Sequence, residues 1–224
     1  MTQARHLKPY DVEISVAAGR DEVWESVTQP AVLRQWFGWD YDGLDAEIKQ
    51  IFLDEATLWA PERMGWADGS YLEVTGDDDS ARVRVTREGT MPGRPEVYDA
   101  IEEGWRAFLI QLRYLLDERP TGRRRTLYLT GETTGRQVLT LAPGEWERFG
   151  PRVAWTVDAD GHLIVAAARN HLDAPEATHV EVTISLFGAD DSTFEAAREA
   201  WSKRWFPLAA GALVTTATDP APGP

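Results

Sequence analysis

The stretch from Val97 to Glu118 limits what this chain can fold into more than any other. Tyr98, Ile101, Trp105, Phe108, Leu109, Leu112, Leu115 and Leu116 recur at spacings of three and four, the period that gathers side chains on one face of an α-helix. Asp99, Glu102, Glu103, Arg106, Arg113 and Asp117 fall mostly on the other face, and Glu102 stands one turn before Arg106 in the order that favours an ion pair. The spacing predicts an amphipathic helix of about five turns. Its apolar face is wide and aromatic and needs a broad apolar partner. An antiparallel sheet with one buried face is such a partner.

The residues upstream supply the strands. Val12, Ile14 and Val16 alternate with polar residues, as in a half-buried strand. Gly19 and Asp21 open a short helix, Glu22 to Thr28, and Pro30 opens a second, Ala31 to Phe37, carrying Leu33, Trp36 and Phe37. Asp40 to Asp45 is a polar loop. Ala46 to Asp54 reads as a strand through Ile48, Ile51 and Leu53. Asp68-Gly69 between Glu62–Ala67 and Ser70–Thr75 is a strong hairpin signal. Asp77-Asp78-Asp79 caps the next turn, Ala81 to Glu88 is a further strand, and Gly89 to Pro95 is a loop leading into the long helix.

Ile14-Ser-Val, Glu22-Val-Trp-Glu-Ser-Val-Thr and Leu33-Arg-Gln-Trp-Phe together resemble the opening of the START-like (SRPBCC) superfamily. Tyr98-Asp-Ala-Ile-Glu-Glu-Gly-Trp-Arg-Ala-Phe-Leu resembles the closing helix of one branch, the homologues of the activator of heat-shock-protein-90 ATPase. The resemblance covers roughly residues 10 to 118. It departs from the family at Arg20-Asp21, where a proline is usual, and in the short stretch between Gly38 and Tyr98. It implies an α+β helix-grip fold, with a long helix packed across a curved antiparallel sheet and an apolar cavity between them.

The second half echoes the first. Trp59-Ala-Pro-Glu-Arg-Met leads to Ala67-Asp-Gly-Ser-Tyr-Leu, as Phe149-Gly-Pro-Arg-Val-Ala leads to Ala159-Asp-Gly-His-Leu-Ile. Ala81-Arg-Val-Arg-Val-Thr matches His179-Val-Glu-Val-Thr-Ile in type, and Tyr98-Asp-Ala with Glu103-Gly-Trp105 matches Phe194-Glu-Ala with Glu199-Ala-Trp201 at the same spacing. The echo predicts a truncated second copy of the strand-helix unit. Arg123-Arg124-Arg125 reads as a solvated linker, and Thr126–Thr130 and Gln137–Leu141 pair as a hairpin around Thr134-Gly135. Val180, Val182, Ile184 and Leu186 form a half-buried strand, and a helix runs from Thr193 to about Phe206, ended by Pro207. The expected organisation is a helix-grip domain over 1–120, a partial repeat over 121–214 packed against or extending the first, and a disordered tail over 215–224.

Composition narrows the partners. A formal charge of −14 repels phosphate backbones and anionic lipid, so nucleic acid and membrane are not expected as partners. The sequence has no cysteine, which removes disulfides, thiolate metal sites and a cysteine nucleophile and fits a reducing compartment. No apolar signal segment stands at the N-terminus, and the longest apolar run, Trp205 to Val214, contains Pro207 and falls short of the roughly 20 residues of a span. The expectation is a soluble cytoplasmic protein, monomer or homodimer.

No catalytic motif is evident. His171, Asp173 and His179 fit no standard ligand spacing, so neither a metal nor a cofactor is expected, and no catalytic residue is assigned. Ten tryptophans are many for this length and suit cavity walls as well as cores. With the resemblance, they point to non-catalytic binding of a small hydrophobic or amphipathic molecule, lined by Trp36, Phe37, Trp59, Tyr71, Trp105 and Phe108. The alternatives are a chaperone-associated regulator, as the ATPase-activator branch implies, and an aromatase/cyclase-like or hydrolase enzyme of the same superfamily.

Overall fold

The computed structural model describes residues 7–89 and 97–217. The N-terminal strand β1 (Tyr10–Val16) is followed by helices α1 (Arg20–Thr28), α2 (Pro30–Leu33) and α3 (Leu44–Ile48), the last continuing through a π-helical turn, Lys49–Asp54. The expected strand over Ala46–Asp54 is therefore helical. Leu44, Ile48 and Phe52 are four apart and all buried, so the helical period, not the weak alternation of Ile48, Ile51 and Leu53, decides the conformation. Strands β2 (Thr57–Trp59), β3 (Arg63–Gly65), β4 (Ser70–Gly76) and β5 (Ala81–Arg87) complete an antiparallel sheet in the order β1-β5-β4-β3-β2. Asp68-Gly69 makes the predicted turn, with Gly69 at φ +85 where other residues are strained. Asp77 accepts from the backbone N–H of Asp79 and Ser80, as a turn cap does. The loop expected over Gly89–Pro95 lies, apart from Gly89, outside the described residues.

The long helix α4 spans Ala100–Glu118. Asp99 caps it, accepting from the backbone N–H of Ile101 at 3.0 Å and Glu102 at 3.1 Å. Trp105, Leu109, Leu112 and Leu116 enter one core with the inner faces of β1, β4 and β5 and with Val23, Val27, Leu33 and Trp36. Tyr98 and Ile101, expected on the apolar face, are exposed at the helix start.

The second unit repeats the first strand for strand. Strand β6 (Arg124–Thr133) is followed by the short helix α5 (Gly135–Val138), then β7 (Glu147–Arg148), β8 (Val153–Val157), β9 (Leu163–Ala168) and β10 (Thr178–Phe187). The sheet order β6-β10-β9-β8-β7 copies β1-β5-β4-β3-β2, and β11 (Ala210–Thr215) is added outside β6. The turns at Asp68-Gly69 and Asp160-Gly161 occupy equivalent places, as do α4 and α6 (Asp191–Trp205). Truncation is confined to the helices between the first and second strands. Thr126–Thr130 and Gln137–Leu141 do not pair: the first segment sits inside β6, and Thr134 and Gln137 form a capping box that starts α5. Thr215, expected in the tail, ends β11, and residues 218–224 lie outside the described residues.

The layers follow from alternation along β10. Val180, Val182, Ile184 and Leu186 point to a core shared with Phe194, Trp201 and Trp205 of α6. The opposite face of the same sheet meets α4, where Ile110 and Tyr114 pack with Val153, Leu163 and Val165. Helix α4 is thus held between two sheets, and its polar side is not a solvent face: Glu102, Glu103 and Gln111 are all buried.

Candidate functional site

Because α4 has a sheet on each side, it presents different chemistry to each. Large apolar side chains fill its contact with the first sheet. On the side of the second sheet stand Glu103, Gly104, Ala107 and Gln111, and there the layers do not close. They leave a cleft of about 500 Å³. Its floor is Tyr128 of β6, Val165 and Ala167 of β9 and Thr183 of β10, with Arg169, His179 and Glu181 toward the exposed rim. Its side wall is Trp39, Tyr41 and Glu47, from the segment joining α2 to α3 and from α3 itself. The void has a local cause. Gly104 has no side chain, and a Cβ built there would meet only the Phe108 ring, at 3.7 Å and beyond. Glycine within a helix costs about 1 kcal/mol relative to alanine, so the open wall is not the most stable choice for the helix.

The wall is aromatic and rigid. Trp39 stacks on Tyr128 with centroids 4.9 Å apart and planes within 5°, and meets Tyr41 at 5.0 Å with the rings tilted by 32°. The Tyr41 hydroxyl donates to Glu47 Oε2 at 2.7 Å. Burial, then the neighbouring Glu47, pushes the Tyr41 phenol up, and burial, then the charge and hydrogen bond of Glu181, does the same to Tyr128. Both phenols therefore stay protonated and act as donors at neutral pH.

Opposite the floor, the polar side of α4 carries an ion network. Glu102 takes Lys8 Nζ at 2.6 Å and Arg106 Nη2 at 2.6 Å. Glu103 has Arg106 Nε at 3.4 Å and Arg152 Nη1 at 3.5 Å. Burial raises the Glu103 carboxyl above the usual range, against the pull of Arg106. At the far end Gln111 accepts from Arg124, whose guanidinium also donates to the carbonyl of Phe37 at 3.2 Å, that of Gly38 at 2.8 Å and Ser185 Oγ at 3.1 Å. Arg124 is the second residue of the triplet read as a solvated linker. It is buried, and it pins the start of the Trp39 wall to α4 and the second sheet.

The expected lining divides. Trp36, Phe37, Trp105 and Phe108 do come together, but as packed core: Phe37 meets Phe52 at 4.9 Å and Phe108 at 4.7 Å, and Trp105 meets Phe108 at 6.1 Å. Trp36 is fully buried, with its indole N–H donating to Ser26 O at 2.9 Å. Of the six residues only Phe108 lines the cleft. Trp59, 56 % exposed, and Tyr71, with Arg63 over its ring at 4.2 Å, border a separate groove on the β2–β3–β4 hairpins. Aromatic content alone drew attention to the face that closes. The residues sequence reasoning passed over are Trp39 and Tyr41, just before and within a polar loop, and Tyr128, Thr183 and Glu181 on the strands, while for His179 only a metal-ligand role is considered. The only available signal was Gly104 inside a strongly helical stretch.

The geometry defines a duplicated helix-grip architecture with an inter-unit cleft. No family model matches the chain, and no curated protein is similar to it. Three solved structures are similar over most of their length. DynU16, from the dynemicin biosynthetic locus, is 17% identical over 89% of this chain and 95% of that chain, with a TM-score of 0.31. The di-domain ARO/CYC BexL from the BE-7585A biosynthetic pathway is 13% identical over 88% and 94%, with a TM-score of 0.35. The di-domain ARO/CYC StfQ from the steffimycin biosynthetic pathway is 14% identical over 87% and 90%, with a TM-score of 0.34. Similarity at this level says nothing of activity.

Proposed function

We propose that the protein binds a small amphipathic molecule with a flat apolar body in the cleft between α4 and the second sheet. The observation that carries this is the cleft of about 500 Å³ opened by Gly104 beside the Tyr41–Trp39–Tyr128 stack, a volume within the range of small-molecule sites. Burying roughly 200 Å² of apolar ligand surface would supply about 5 kcal/mol before ordering costs. The test is a tryptophan-fluorescence titration with fatty acids, sterols and polycyclic aromatic compounds, in wild type and Trp39→Phe. A saturable change with a polycyclic compound, much reduced in Trp39→Phe, is expected. No change with any of them removes the proposal.

A second reading, an aromatase/cyclase-like or hydrolase enzyme, is favoured by one observation: Glu103, Tyr128, His179 and Glu181, all able to take part in proton transfer, converge on the same cleft. Chemical conversion of a bound compound on prolonged incubation, abolished by Glu181→Gln, would establish it. The chaperone-associated alternative predicts retention of a chaperone on the immobilised protein, and absence of retention ends it.

A further inference from the structure

The cleft is bordered by a buried carboxylate whose ion pairs leave one oxygen without a hydrogen bond. Glu103 is 4 % exposed and lines the cleft, yet its Oε2, shielded from water, accepts no hydrogen bond among the described residues. Arg106 Nε lies 3.4 Å away but is itself without a hydrogen bond, its Nη2 being drawn to Glu102. Arg152 Nη1 stands on the other oxygen, at 3.5 Å. A buried polar atom left without a hydrogen bond is destabilising, and a ligand that supplies the missing donor relieves it. Two helical turns further on, Gln111 is also buried and lines the same cleft. Its Oε1 is taken by Arg124, and its Nε2 makes no hydrogen bond among the described residues. Eight residue steps, about 12 Å of helix, separate these groups. Between them the wall is Gly104 and Ala107, with no side chain larger than a methyl, and the ring of Phe108.

Resting on the binding role proposed above, we infer that the cleft selects a flat, elongated ligand with an O–H or N–H donor at the Glu103 end and a hydrogen-bond acceptor toward Gln111, and that Glu103 is the specificity-determining residue. The apolar slot fixes the ligand's shape, and the two polar groups fix which way round it lies. A site built to receive a donor rejects an isostere without one far better than an apolar slot distinguishes two hydrocarbons.

The probes are 2-hydroxyanthracene and 2-methylanthracene, which share a shape and differ in the donor. Their dissociation constants are measured for wild type, Glu103→Met, the near-isosteric Glu103→Gln, and Glu195→Gln as a remote control with the same charge change, each checked for folding by circular dichroism. Wild type and Glu195→Gln are expected to favour the hydroxyl compound by about tenfold or more, the ratio falling below about three in Glu103→Met and to a third or less of the wild-type value in Glu103→Gln. If Glu103→Met does not fold, the wild-type ratio and Glu103→Gln decide. Equal affinity of both probes for wild type overturns the inference and leaves the cleft's binding role standing. A wild-type ratio retained in the folded Glu103 variants overturns the assignment of Glu103. Binding of neither probe overturns the inference, and the titration panel above then decides the proposed function separately.

Discussion

Arg124 and Gln111 are joined side chain to side chain across the two halves of the molecule: the guanidinium Nη2 at the start of β6 donates to the amide oxygen on α4. The same guanidinium holds the carbonyls of Phe37 and Gly38, and the Arg124 backbone N–H donates to Gln35 Oε1 at 3.0 Å. One residue of the second unit thus fixes the long helix and the loop that carries Trp39. This joint between the two halves is buried and makes four side-chain hydrogen bonds, and it sets the first prediction.

Arg124→Met should lower stability by about 3 kcal/mol or more, since buried acceptors lose their donor together. Arg124→Lys should recover less than half of that loss, because an ammonium lacks the planar fork that reaches several acceptors at once. Urea denaturation at neutral pH measures both. A loss under about 1 kcal/mol for the methionine variant would mean that the joint is not what holds the halves.

Gly104→Ala should stabilise the protein by roughly 0.5–1 kcal/mol. The added methyl meets only the Phe108 ring, at ordinary contact distance, and gains helix propensity. Destabilisation in a thermal melt would show that the wall at Gly104 is closed and not open to a ligand.

Trp36→Phe should cost about 1–3 kcal/mol through the lost bond to Ser26 and the hole left in the first core. It should leave probe affinity within about twofold, since Trp36 does not line the cleft. A fall in affinity without a fall in stability would restore Trp36 as part of a ligand wall.

The cap of α6 gives a pH signature. The Asp190 carboxyl is pulled down to about 2, first by the backbone N–H of Thr193 and then by the hydroxyls of Thr193 and Ser192. A depressed acid contributes stability above its unfolded pKa and loses it as pH falls through its folded pKa. The gap in urea midpoint between wild type and Asp190→Ala should therefore be full at neutral pH and shrink as pH falls from about 4, the ordinary aspartate value, toward 2. A gap independent of pH would show that the carboxylate is not what caps the helix.

The fold was legible where periodicity had a single interpretation. The long helix, read over Val97–Glu118 and found over Ala100–Glu118, the Asp68-Gly69 hairpin and the four-part echo between the halves all follow from spacing and turn chemistry. Ala46–Asp54 was misread because Ile48, Ile51 and Leu53 imitate a strand, whereas Leu44, Ile48 and Phe52 mark the buried side of a helix. The site was legible only in part, for a reason of packing. The aromatic side of α4 is the obvious candidate in a list of residues, and large aromatics fill the space they share. The cleft depends on what is missing at Gly104 and Ala107 and on polar residues of β6 and β10 that a half-buried strand ordinarily gives to water. Only the placement of a second sheet over the polar side of α4 turns Glu103 and Gln111 from surface groups into the ends of a slot.

The most direct measurement is the dissociation constant of 2-hydroxyanthracene for Gly104→Leu set against that for Trp36→Phe. A cleft beside the second sheet predicts that a leucine side chain at position 104 occupies the slot and weakens binding by more than about tenfold, while Trp36→Phe stays near wild type. Unchanged affinity in Gly104→Leu together with lost affinity in a folded Trp36→Phe would place the ligand against the first sheet and contradict the account.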